Sequence, residues 1–209
     1  MTEYYTVWKL KFSLSFQDPD VPGTRFHTTV FVETDAAKGH GWVHHATGDI
    51  TSSNGMTYES KFRDRPESSQ TFAGKEFLGY VAASTYPESF NTVLLTVPLP
   101  PQQKAFNTAT MKTEPFKTRN PLTFYNPGEP RRPLIKCTEW TEQRAIPALH
   151  AAGLLQQPAS QTTTSTSSMQ PNINRTQTEA NAWEWDDTEK RYRYWDAARM
   201  EWIWAGVSK

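Results

Sequence analysis

Cys137 is the only cysteine of the chain, and it opens a stretch, CTEWTEQRAIPALHAAGLL, that reads as a helix. Upstream, Pro127, Pro130 and Pro133 cannot continue one. Thr138, Glu139 and Glu142 place acceptors and negative charge in the first turn, where free N–H groups and the helix dipole favour them. Gly153 supplies a C-terminal stop, and Pro147 interrupts the run, which predicts a kinked helix or two short ones meeting there. A thiol at a helix N-terminus beside a cation is favoured as the nucleophilic thiolate; Lys136 is a candidate cation, and a histidine would be a better one. Against this stands a buried cysteine acting as a small hydrophobe, the commoner case when only the local sequence is weighed.

The histidines upstream shift that balance. His27 lies in RFHTTVFVE (25–33), where β-branched and aromatic residues dominate and His27, Thr29 and Phe31 share one face of a strand. The next strand starts at Gly41 and carries His44 and His45, which point to opposite faces. Ahead of both, residues 4–16 alternate with period two, and Asp18-Pro19-Asp20 and Pro22-Gly23 end that strand. A fourth strand is expected at Gly55–Ser60, so the first half forms a largely antiparallel sheet.

Residues 61–75 are polar and read as a long loop, followed by a strand at Phe77–Val81. Pro87 and Glu88 start a helix with Phe90, Val93, Leu94 and Val97 at helical spacing. Five prolines between 115 and 133 argue for irregular or short extended pieces over 102–135. The composition then turns to Ser, Thr, Gln and Asn over 156–180, too few apolar groups to offset ordering entropy, which predicts a disordered linker. Beyond it, 181–209 holds five of the eight tryptophans. Trp183/Trp185, Tyr192/Tyr194 and Trp202/Trp204 are spaced as a small three-stranded meander with one aromatic face. The expected organisation is therefore 1–155, an α+β domain; 156–180, linker; and 181–209, an aromatic unit.

Twenty-two basic and twenty-two acidic residues cancel, which removes the electrostatic case for nucleic acid or an anionic membrane. No apolar run reaches membrane-spanning length, and the N-terminal residues lack a signal-peptide pattern. A lone cysteine excludes an intramolecular disulfide framework and fits a reducing compartment, so a cytoplasmic protein is expected. Two adjacent histidines with one distant cysteine do not make a metal site, and no cofactor is expected.

The order His27 on a strand, His44-His45 on the next, and a late Cys137 with Trp140 three residues on resembles the circularly permuted papain-like cysteine enzymes. That group contains the lecithin:retinol acyltransferase-like and NlpC-type hydrolase-like proteins. The blocks Val-His-His-Ala-Thr-Gly and Cys-x-x-Trp also resemble a set of uncharacterised fungal proteins. The resemblance covers roughly residues 4–155 and implies an antiparallel sheet packed on the Cys-bearing helix. It implies Cys137 as nucleophile, His27 as base, and a third polar residue, His44 or His45, orienting the base. Aligning Gly48 with the family block selects His45. Lys136 stands where these families often carry Asn. The implied activity is a hydrolase or acyltransferase working through a thioester on an amide or ester substrate. An alternative is an inactive papain-like fold serving as an interaction protein. Its C-terminal aromatic unit loosely resembles modules that grip proline-rich or extended peptides.

Overall fold

The structure is a computed structural model that describes residues 3–157 and, as backbone, three further strands at 184–186, 191–196 and 201–204. The alternation at the N-terminus becomes β1 (Tyr4–Ser13), which ends at Ser13 and leaves Phe16 beyond it 90% exposed. β2 (Phe26–Asp35), β3 (His40–Gly48) and β4 (Met56–Asp64) follow as successive antiparallel hairpins, and β5 (Phe72–Ala82) returns to pair with β1. The sheet order is β4-β3-β2-β1-β5. An α+β architecture with an antiparallel sheet and a few short helices is thus established.

The loop expected over 61–75 is much shorter, because β4 runs on to Asp64 and β5 begins at Phe72. Polar composition misleads here. Both strands are sheet edges, where one face and one backbone edge meet water and charged residues are tolerated.

The sheet buries apolar groups on both faces. On one, Val7, Val30, Val32 and Ala46 pack against Phe90, Leu94, Trp140 and Leu149 from the helical layer. On the other, Leu10, Phe31 and Val43 form a smaller cluster with Trp8, Phe12 and Phe72 against them. The helical layer consists of α1 (Glu88–Thr96) and a segment running from Cys137 to Ala151. That segment is α2 (Cys137–Trp140), a wider π turn over Thr141–Ala145, and α3 (Ile146–Ala151). Pro147 has no N–H to donate backwards, and the widened turn before it lets the helix continue without that bond. The helix stops at Gly153 (φ +68°), with Gly153 N–H bonded to the His150 carbonyl and Leu154 N–H to that of Leu149, a Schellman closure.

Residues 102–135, expected as irregular or short extended pieces, include β6 (Lys104–Asn107), β7 (Lys112–Arg119) and β8 (Leu122–Phe124) in a small antiparallel sheet. Gln156, the first residue of the expected linker, pairs with Tyr80 through reciprocal backbone hydrogen bonds of 2.8 Å. Gln157 donates to the Leu78 carbonyl, so the first two residues of that stretch belong to the sheet's edge. The rest of the expected linker, 158–180, lies outside the described residues.

The chain divides into two compact units, Met1–Gln161 and Thr162–Lys209. In the second, β9 (Glu184–Asp186), β10 (Arg191–Asp196) and β11 (Glu201–Trp204) form an antiparallel sheet ordered β11-β10-β9. Its register sets Tyr192 opposite Trp185, but Trp202 opposite Trp195 and Trp204 opposite Arg193. Of the six aromatic residues paired by spacing in the sequence, Trp185 and Tyr192 are thus cross-strand partners, and Trp183 lies outside the described residues.

Candidate functional site

His27 and His45 extend from the sheet face that carries Phe31 and Val43, as residues of the same strand parity must. Their rings meet, with His27 Nε2 2.7 Å from His45 Nδ1. His45 Nε2 in turn lies 2.9 Å from Oε2 of Glu59, its direct partner across the β3–β4 ladder. This relay determines the tautomers. A carboxylate only accepts, so His45 Nε2 carries the proton and the Nδ1 of a neutral ring is an acceptor. His27 Nε2 must then donate, and its Nδ1 keeps a free lone pair, with no partner among the described residues.

Neutrality is favoured at both rings. Burial, helped by the neighbouring His45 and by Arg63, lowers the pKa of His27 to about 4. Burial also lowers that of His45, although the hydrogen bond and charge of Glu59 pull the other way.

His44 serves a different purpose. It points to the helix-covered face, fully buried, with Nδ1 2.7 Å from the Tyr58 hydroxyl and Nε2 2.9 Å from that of Tyr86. Tyr58 donates onward to Asn91 Oδ1, so it accepts from His44 Nδ1–H, and Tyr86 O–H donates to Nε2. Burial lowers its pKa to about 3. His45, not His44, is the ring that touches His27.

Cys137 begins α2, as its sequence context indicated, and is 8% exposed. β2 and β3 pair only from Val30 opposite His44 onward. Ahead of that point β2 carbonyls take donors from the helix: Cys137 Sγ at 3.8 Å and Thr138 Oγ1 at 3.0 Å from Phe26 O, and Thr141 Oγ1 at 3.0 Å from Thr28 O. The sulfur thus rests against the peptide group immediately before His27. It belongs to the helix-side cluster, and among the described residues no hydrogen bond joins it to either ring.

Lys136 is not a free cation beside the thiol. Its ammonium lies 3.1 Å from Asp18 Oδ2, and Lys104 bridges Asp18 at 2.9 Å and Asp20 at 2.7 Å. Burial would raise the Asp18 pKa, but hydrogen bonds from Lys104, the Asp20 amide and Lys136 bring it down to about 2. This network ties the β1–β2 loop to the irregular segment leading into α2. Glu139 adds a second tie, accepting from Lys136 N–H at 2.8 Å and pairing with Arg25.

A cleft of about 470 Å³ opens on the imidazole side of the sheet, lined by His27, His45, Thr29, Val43, Phe12 and Arg63, with the segment 64–71 as its far wall. Cys137 does not line it. Sequence reasoning did not single out Glu59 or Arg63. The available signal was register: the pairing of β3 with β4 sets both on the His45 face. Among the described residues no group of three or more His, Cys, Asp or Glu side chains is arranged to hold a metal, and no helix is long and apolar enough to cross a membrane.

No curated protein and no solved structure matches the chain. The sequence pattern of one family matches residues 14–156, a span that holds β2 to β5, both histidines of the relay, Glu59 and the whole cysteine helix. The chain belongs to that family, a family of unknown function (DUF6540).

Proposed function

We propose that the protein is a thiol-dependent hydrolase or acyltransferase on a permuted papain-like fold, with Cys137 as nucleophile, His27 as base and His45 as the residue that orients it. The observation that carries this reading is the His27–His45–Glu59 relay, which leaves His27 neutral with a bare Nδ1, the form a general base requires. In this mechanism the sulfur leaves the Phe26 carbonyl for that nitrogen. His27 Nδ1 accepts the thiol proton as sulfur attacks the carbonyl of an amide or ester. N–H groups left over at the start of α2 stabilise the oxyanion. The tetrahedral intermediate collapses to a thioester, and the leaving amine or alcohol takes the proton from His27. Water or another acceptor then gives its proton to His27 as it attacks the thioester, and the proton returns to the sulfur. Glu59 holds His45 in the tautomer that fixes the His27 ring.

The test is trapping of an acyl adduct from an activated ester panel, located by mass spectrometry. The adduct is expected on Cys137 and formed at least about a hundredfold more slowly in His27→Ala, in line with loss of a general base. Glu59→Gln is expected to slow it less. Because His27 titrates near 4, turnover should persist well below the ordinary imidazole range and fall only as acid protonates Nδ1. Ester turnover that survives Cys137→Ala would sink the proposal.

A second reading is an inactive fold acting as an interaction protein, with the C-terminal unit gripping proline-rich or extended peptides. It is favoured by the position of the sulfur, outside the cleft that both rings line. Absence of any adduct, together with saturable binding of a proline-rich peptide that is lost on truncation at 180, would select it.

A further inference from the structure

The cleft beside the relay contains groups that proton transfer does not use. Arg63 lines it from β4, and its guanidinium makes no hydrogen bond or ion pair among the described residues. Arg65, next along, spends its Nε on the Lys38 carbonyl at 2.9 Å, and Asp64, the one carboxylate in the lining, is held by His40 at 2.8 Å. The floor holds a second unspent group. Thr29 is fully buried, lines the same cleft, and its Oγ1 has no hydrogen-bond partner. A buried hydroxyl without a partner costs stability on its own, whereas one awaiting a ligand acceptor is a binding group.

We infer that this cleft is an oxyanion-binding site, in which the Arg63 guanidinium and the Thr29 hydroxyl take a carboxylate or phosphate group of a small ligand. A guanidinium offers paired donors that match either anion, and the hydroxyl supplies a third from below. The neutral imidazoles add polar surface without opposing charge, and Asp64 is engaged by His40. The site stands whether or not Cys137 is a nucleophile, since the sulfur is not among the groups that form it.

The experiment titrates the full chain with inorganic phosphate and, separately, with acetate, at constant ionic strength set with chloride. Binding is read from the ring signals of His27 and His45 by NMR, with His150 on α3 as the remote reference. Saturable shifts of His27 and His45 but not His150 are expected. Arg63→Gln should weaken binding at least about tenfold, Arg63→Lys should retain part of it, and Cys137→Ser should leave it unchanged. Thr29→Val should weaken it several-fold, and Arg131→Gln, paired with Asp20 elsewhere, should not. Saturation by phosphate alone identifies a phosphate ligand, and saturation by acetate as well admits carboxylates. Linear shifts, equal shifts at His150, or undiminished binding by Arg63→Gln would overturn the assignment.

Discussion

His44, His27 and His45 are held neutral chiefly by burial, and that preference couples folding to pH. Above the ordinary imidazole value of about 6.5 both folded and unfolded chains carry these rings neutral. As the pH falls below it, the unfolded chain takes up protons first, because the folded values lie near 4 for His27 and near 3 for His44. Stability is therefore expected to decline from about pH 6.5 towards those values, on the order of 1 kcal/mol or more each for His27 and His44 by pH 5. Urea unfolding at pH 7 and pH 5 checks it, and an unchanged midpoint would contradict the buried-neutral account. Asp18 does not confuse the measurement, since it stays ionised until far lower pH. At this scale His27 and His45 were legible from strand parity together with the family resemblance. Glu59 was not, because its role depends on which residue stands across from His45, and register is a property of two strands and their turn.

At the scale of elements, the cysteine helix is attached to β2 through hydroxyls rather than by apolar packing alone. Thr141, fully buried, donates to the Thr28 carbonyl at 3.0 Å, at the end of β2 that β3 does not cover. Thr141→Val keeps the shape but strands that carbonyl, and a loss of about 1–3 kcal/mol is expected. Thr118→Val, which removes an exposed hydroxyl bonded to the Pro121 carbonyl, should stay within about 0.5 kcal/mol. Denaturant unfolding of the two variants compares them directly; equal effects would mean the helix is held by apolar contact alone. The helix start, its glycine stop and the disturbance at Pro147 were all legible, because each depends on a local backbone property. The true extents of β4 and β5 were not. Lys61, Arg63 and Lys75 read as loop in isolation, yet they are extended because the neighbouring strand supplies their backbone partners.

For the whole molecule, the first unit closes on the last of its described residues. Leu154 and Leu155 are 9% and 7% exposed and pack into the helix-side cluster, and Gln156 then adds to the free edge of β5 beside Tyr80. Gly79 makes room for that approach: with φ +144°, a Cβ there would sit 2.7 Å from the Gln156 carbonyl oxygen. Composition put the end of the domain at Leu155, where apolar content collapses. It did not reveal the added pairing, which is made by main-chain atoms and leaves no mark in side-chain type. A chain ended after Gln157 is expected to unfold cooperatively. Ending it after Gly153 removes two buried leucines and the edge pairing, and burying a leucine is worth about 1.5–3 kcal/mol. The shorter chain should therefore lose several kcal/mol, and native-state hydrogen exchange should show β5 amides as the first to lose protection. Equal stability of the two truncations, with β5 exchange unchanged, would show that the unit is complete without its last four residues and that Gly79 is left without the close approach it serves.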